Sequence, residues 1–346
     1  MLGRLESSEG MMRDMDTKKI LNKLDYYRIY MILAVIFILM CLFAPNFFNT
    51  FNIINILKGM SLNAMVAVGF TVVMICGQLD LSIGSNLTLG AMVVIGLQPT
   101  LGWFPSLIVA VLAGSLVGAI NGFLVAKAKI HSFIVTLGTM TIVQGLIFLI
   151  SKGSALSVND FTLADWLEAP LFGLFPPRVI ITVSIVLIFF VLVKYTKFGK
   201  GFYLVGGNKE TAWLAGLNTD LYLILAFILS GTTAALGGAL LAMSISSAVP
   251  TLGVSSQMVV IAATIIGGTS MAGGTGDIFR SMIAVLMLVV LFNGLMCLGA
   301  GYEVQIFASG LVLAAVVLGE SYALYEQDKV KGQRPALMAE LKKGAL

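Results

Sequence analysis

Polar and apolar residues are not interleaved along this chain. Long apolar runs alternate with short polar interruptions from about residue 28 to about residue 320. An α-helix needs roughly 20 apolar residues to cross the hydrocarbon core of a bilayer. By that length the runs predict spans over 28–44, 61–78, 82–98, 104–126, 131–151, 178–194, 221–243, 257–271, 281–299 and 303–320. They lack the period-two alternation of a membrane β-barrel. The expected fold class is all-α: a polytopic membrane protein of about ten transmembrane helices. The expected parts are an arm at 1–27, a membrane domain at 28–320 with a polar loop at 195–220, and a tail at 321–346.

Composition agrees. Of 346 residues, 58% are hydrophobic and 11% charged, and mean hydropathy is +0.99. A soluble domain carries roughly a quarter charged residues, so soluble, disordered, collagenous and disulfide-scaffold classes are excluded. The polar N-terminal arm lacks the apolar core and small-residue cleavage site of a secretory signal, and it reads as a retained segment. Cys41, Cys76 and Cys297 lie in apolar runs without metal-type spacing and read as small buried hydrophobes.

Where the charge falls matters more than its sum. The net charge of +4 is too small and scattered for nucleic-acid binding. With both termini in the cytoplasm, 18 of the 21 basic residues fall on the inner side. Only Lys58, Lys152 and Arg178 remain outside, as the positive-inside rule requires. Proline points the same way, since Pro45, Pro99, Pro105, Pro170, Pro176, Pro177 and Pro250 lie in or beside expected external loops. Two stretches read as interfacial: 49–58, and the external segment 152–177, which is either a short helix or a plain connector.

The chain carries no Walker A pattern, no Gly-x-Ser-x-Gly, no His-Glu-x-x-His and no Cys-x-x-Cys. Between residues 59 and 126 the only charged residue is Asp80, and between 221 and 276 there is none. Proton relays and sodium sites usually place carboxylates or histidines inside spans. Here the candidates reduce to Asp80, His131 and Glu303, near span ends, so energy for transport is expected from outside this chain. A membrane enzyme is disfavoured for the same lack of clustered ionisable groups.

Three stretches stand out. Asp80 and Ser82, between the second and third spans, read as a helix cap or as a gate on a solute pathway. The stretch 231–276 holds nine glycines, and Ser244 to Pro250 within it is polar enough to border a pathway mouth. Small residues there serve either pathway lining or close helix packing. In the loop 195–220, Asn208 reads as an N-cap, Lys209–Leu214 as about two helical turns and Gly216 as their C-terminal stop. A short capped helix with Trp213 exposed suits docking; an ordinary connector is the alternative.

Six segments, in order, resemble the permease subunits of bacterial sugar ABC importers of the ribose, xylose, galactose and autoinducer-2 type. They are Leu79 to Gly84; Gly118 to Gly122; Phe133 to Met140; Phe198-Gly199 through Gly206-Gly207-Asn208 to Ala212 and Gly216; Ile261 through Gly267-Gly268-Thr269-Ser270 to Gly276; and Asn293-Gly294-Leu295. Together they cover roughly 45 to 320. The resemblance implies a ten-span permease in the bacterial inner membrane, paired with a second copy or a paralogue. It implies cytoplasmic ABC ATPase domains, often fused in one chain, which would bind ATP and Mg; no cofactor is expected in this chain. A periplasmic or lipid-anchored sugar-binding protein would deliver substrate, and membrane lipid would surround the helices.

The resemblance places ATPase coupling at Gly199, Gly206, Gly207, Asn208, Glu210, Ala212 and Gly216. With the polar residues above, it gives Asp80, Ser82, Asn121, Thr136, Ser244, Ser246, Ser247 and Asn293 as candidates for a translocation pathway or gate. Four places depart from the family pattern: Ser256-Gln257-Met258 for an acidic residue, Arg280-Ser281 for Gly-Thr, His131-Ser132 where proline is common, and Gln144 for an arginine. These departures bear on the substrate and the partner permease. Import of another solute, such as a nucleoside or a branched-chain amino acid, and an ion-coupled transporter are the competing readings.

Overall fold

The computed structural model describes residues 27–301, 303–319 and 321–322. The expected arm and tail lie outside these residues, apart from Tyr27, Ser321 and Tyr322. The helices are α1 (Tyr27–Phe43), α2 (Thr50–Ile75), α3 (Ile83–Leu101), α4 (Trp103–Ala126), α5 (Ser132–Ser151), α6 (Thr162–Glu168), α7 (Pro177–Tyr195), α8 (Lys197–Gly207), α9 (Lys209–Leu214), α10 (Thr219–Ile245), α11 (Gly253–Ile266), α12 (Ile278–Cys297) and α13 (Glu303–Gly319). Six of them, α2, α4, α5, α7, α10 and α12, are long and apolar enough to cross a membrane. The chain is a mostly helical, multi-pass membrane protein.

Short polar side chains start many of these helices by accepting from free backbone N–H groups. Asn49 Oδ1 accepts from Phe51 N at the start of α2, Asn218 Oδ1 from Leu221 N at α10, and Asp277 Oδ1 from Phe279 N and Arg280 N at α12. Helix α10 lies at the centre, packed on α4, α3 and α2. In α2 and α10, 67% of the most apolar window is buried; in α5 only 22% is, so α5 is peripheral. At the crossing of α10 and α4, Gly118 and Gly231 bring the two backbones so close that a Cβ on either would strike a carbonyl oxygen of the other helix. In lipid, helices gain little from apolar burial and associate through such close packing.

Several expectations are corrected. The stretch 49–58 is not a separate interfacial segment; from Thr50 it forms the opening turns of α2. The segment after Thr196 is not loop: α8 is an eleven-residue helix, started by Thr196 Oγ1 accepting from Gly199 N. Pro99 lies inside α3, in its last turn, where it lacks the N–H that would bond to the Ile95 carbonyl. Cys41 is exposed rather than buried. The helical architecture also contains one two-residue antiparallel pairing, β1 (Leu156–Ser157) with β2 (Ser247–Ala248), joining Leu156 to Ala248 and Ser157 to Ser247. The segment 152–177 does hold a short helix, α6.

Candidate functional site

The connection between α7 and α10 folds into two short helices wedged against the end of α2. Phe198 and Phe202 of α8 pack on Tyr222 of α10, with ring centroids 5.6 and 5.2 Å from it, and on each other at 5.0 Å. Gly206 lies directly on the Ile75 carbonyl, which also accepts from Gly274 N at 2.8 Å. A side chain at 206 would collide with that carbonyl oxygen. Tyr203 Oη donates to Gly276 O at 3.1 Å, and burial pushes its phenol up to about 12, with Asp277 adding to the rise. So α8 is held by the last residue of α2 and by the loop between α11 and α12.

Asn208 ends α8 and starts α9, its Oδ1 accepting from Thr211 N at 2.8 Å. Ala212 is buried, Glu210 sits in the first turn, and Gly216 closes the segment at φ +85°. Trp213 is 67% and Leu214 77% exposed. Lys209 and Lys127 both reach Asp220, at 3.2 and 3.0 Å, tying α9 to the ends of α4 and α10. A groove of about 390 Å³ separates Gly207, Asn208 and Glu210 from the α2–α3 turn at Gly77 and Gln78. Gly199, by contrast, faces inward on the backbone of Leu192 and Val193.

Asp80 is fully buried in the α2–α3 turn. It does not cap α3. Its Oδ1 accepts from Ser82 N at 3.0 Å and from Ser82 Oγ, and its Oδ2 accepts from Ser230 Oγ of α10 at 2.7 Å. Ser82, the residue before α3, makes no side-chain cap bond; its hydroxyl accepts from Asn121 Nδ2 of α4 at 2.9 Å. Thr136 Oγ1 of α5 donates to Ser132 O at 2.8 Å and, more weakly, to Leu79 O at 3.4 Å. Asp80, Ser82, Asn121 and Thr136 therefore gather around one turn, on the same end of the bundle as α8 and α9.

The other four pathway candidates lie at the opposite end, and each is engaged in packing. Ser244 Oγ accepts from Arg178 Nη1, and Arg178 pairs with Glu168 at 3.0 Å. Ser246 Oγ donates to Asp160 O at 2.9 Å, and Ser247 Oγ to Leu156 O at 3.1 Å. Asn293 pairs with Asn52. Asp160 accepts from Thr162 Oγ1 at 2.6 Å and from Trp103 Nε1 at 2.8 Å, and these bonds hold its carboxyl below the usual carboxylate range.

A cavity of about 520 Å³ opens between α3, α5 and α11, lined by none of these eight residues. Its walls include Met140, Phe148, Val254 and Met258, with Ser85, Thr141 and Thr251 as hydroxyls and Gln144 and Gln257 as amides. Sequence reasoning missed it as a site. The one available signal was that Gln144 and Gln257 fall in two of the segments that depart from the family pattern. Among the described residues no group of three or more His, Cys, Asp or Glu could hold a metal.

A family model described as "branched-chain amino acid transport system / permease component" matches residues 52–318. The chain belongs to this permease family. The ribose import permease protein RbsC of Haemophilus influenzae is 34% identical over 300 residues, covering 85% of this chain and 93% of that protein. The L-arabinose transport system permease protein AraH of Escherichia coli is 35% identical over 305 residues, 86% and 91% of the two chains. The D-allose transport system permease protein AlsC of Escherichia coli is 34% identical over 301 residues, 85% and 91%. No solved structure matches the chain.

Proposed function

We propose that this chain is the membrane-spanning subunit of an ATP-driven ABC importer for a sugar or sugar-like solute. The observation that carries the reading is the match, over most of both chains, to permeases named for ribose, L-arabinose and D-allose. The chain works by alternating access in the bacterial inner membrane, with ten spans and both termini in the cytoplasm. The basic residues Lys127, Lys129, Lys194, Lys197, Lys200 and Lys209 at the α8–α9 end support that orientation. It pairs with a second permease copy or a paralogue, and a periplasmic or lipid-anchored binding protein delivers the solute.

Coupling falls to the α8–α9 unit. Gly199, Gly206, Ala212 and Gly216 shape it, Asn208 caps it, and Gly207 and Glu210 border its groove. Exposed Trp213 and Leu214 give a separate cytoplasmic ATPase, which binds ATP and Mg, an apolar surface to grip. Asp80, Ser82, Asn121 and Thr136 act as the gate beside this unit. Ser244, Ser246, Ser247 and Asn293 frame the outer mouth. The chain itself transports and does not catalyse.

Reconstitution tests this reading. The permease, its ATPase and its binding protein in proteoliposomes should take up D-ribose, L-arabinose or D-allose when ATP is supplied to the ATPase side. Leucine serves as the control for the solute in the family's description. Uptake driven by an ion gradient through the permease alone would reject the proposal, and leucine uptake without sugar uptake would move it to an amino acid importer.

A further inference from the structure

The cavity between α3, α5 and α11 has features of a solute site. Its volume of about 520 Å³ lies within the roughly 300–1,000 Å³ of small-molecule pockets. Its walls are apolar with a few convergent polar groups, and no lining residue is charged. Gln257 is only 8% exposed. Its Nε2 donates to Met140 Sδ at 3.7 Å, a weak acceptor, and its Oε1 has no hydrogen-bond partner among the described residues. That oxygen lies against Gly84, whose missing side chain leaves it room at the cavity wall. Across the cavity, Gln144 Nε2 donates to Pro250 O at 2.7 Å, which fixes the amide and leaves Oε1 unbonded among the described residues. Neither amide oxygen is sealed off in the protein interior, so both open onto the cavity, where a hydroxyl-bearing solute can supply the donor that the protein does not.

We infer that Gln144 and Gln257 form the solute-contacting pair of the membrane domain, hydrogen-bonding the hydroxyls of an uncharged polyhydroxylated solute held in this cavity. Hydroxyl groups both donate and accept, so they satisfy amide oxygens and the second amide hydrogens alike. The apolar walls formed by Met140, Phe148 and Val254 suit the C–H faces of such a solute. A charged solute would lose its hydration here without a counter-charge, which selects for neutrality. Two amides give a contact strong enough to orient a passing solute and weak enough to release it.

This inference rests on the transport reading above, and the experiment separates the two. The complete transporter in proteoliposomes is offered D-ribose, L-arabinose and D-allose in turn, and uptake is measured per ATP hydrolysed. If the parent imports none of them, the transport reading fails. If the parent imports one, Gln144→Leu and Gln257→Leu should each lower its uptake per ATP about five- to tenfold, and Gln257→Asn should recover most of that loss. A merely structural role would lower uptake and hydrolysis together and leave the ratio unchanged, which overturns the inference. Parental uptake in both leucine variants also overturns it, and fits a groove filled by a lipid chain instead. Should the leucine variants fail to assemble, Gln144→Ser and Gln257→Ser carry the same expectation.

Discussion

Asn52 and Asn293 exchange two hydrogen bonds across the contact of α2 and α12. Asn52 Nδ2 donates to Asn293 Oδ1 at 2.8 Å, and Asn293 Nδ2 returns the bond to Asn52 Oδ1 at 2.9 Å. Asn52 Nδ2 also donates to Phe47 O, so the pair fastens the α1–α2 connection as well. Replacing one partner strands a buried amide, whereas replacing both removes the need. Asn293→Leu should cost about 1 kcal/mol in thermal unfolding of the detergent-solubilised protein. The double change Asn52→Leu with Asn293→Leu should be more stable than the single one; strictly additive losses would contradict the pairing.

Of two adjacent glycines, only one should respond to an added methyl group. A methyl group at Gly206 meets the Ile75 carbonyl and the backbone of Gly274, whereas at Gly207 the nearest atom is 3.9 Å away. Gly206→Ala is expected to lower stability by about 1–3 kcal/mol and to impair ATP-driven uptake. Gly207→Ala should leave both near the parental level. Thermal midpoints of the two proteins, measured side by side, check this; equal effects would show that α8 does not rest on α2.

Trp213 tests the docking surface. Because it is exposed, Trp213→Ala should leave the thermal midpoint of the isolated permease unchanged. Buried tryptophans at interfaces often carry about 2 kcal/mol or more, so retention of the ATPase on the purified permease should fall at least tenfold. Undiminished co-purification would place the contact elsewhere.

Much of this was legible locally, and the limits follow from which interactions are local. Asn208, Lys209 to Leu214 and Gly216 announce a capped helix because a cap, two turns and a stop are set within nine residues. Helix α8 was illegible because Gly199, Gly201 and Gly206 argue against a helix by propensity, while their contacts with α7, Tyr222 and α2 require glycine there. Asp80 reads as a cap at short range. Its second oxygen is satisfied by Ser230, 150 residues away, which no local rule supplies. Gln144 and Gln257 are likewise brought to one cavity only by the packing of α5 and α11 around α3.

Asp160 sets a pH expectation. Its carboxyl is held below the usual range by Thr162 and Trp103, so the ionised form is favoured in the folded state. The stabilisation is therefore complete above the ordinary carboxylate pKa of about 3.9 and is lost as pH falls through the lower folded value. In a protein whose other tryptophans are replaced by Phe (Trp166→Phe with Trp213→Phe), Trp103 fluorescence should stay constant from neutral pH down to about 4 and change only below it. A transition near pH 6 would contradict this assignment.

Helix α2 is fastened at both extremities, by the asparagine pair in its first turn and by Gly206 and Gly274 at its last residue. Its 26 residues contain no proline and span about 39 Å. A rod anchored in this way has little freedom to bend. In the coupling proposed above, a push on α9, carried by α8 to the end of α2, would therefore reach the opposite face of the protein as a tilt of the whole shaft.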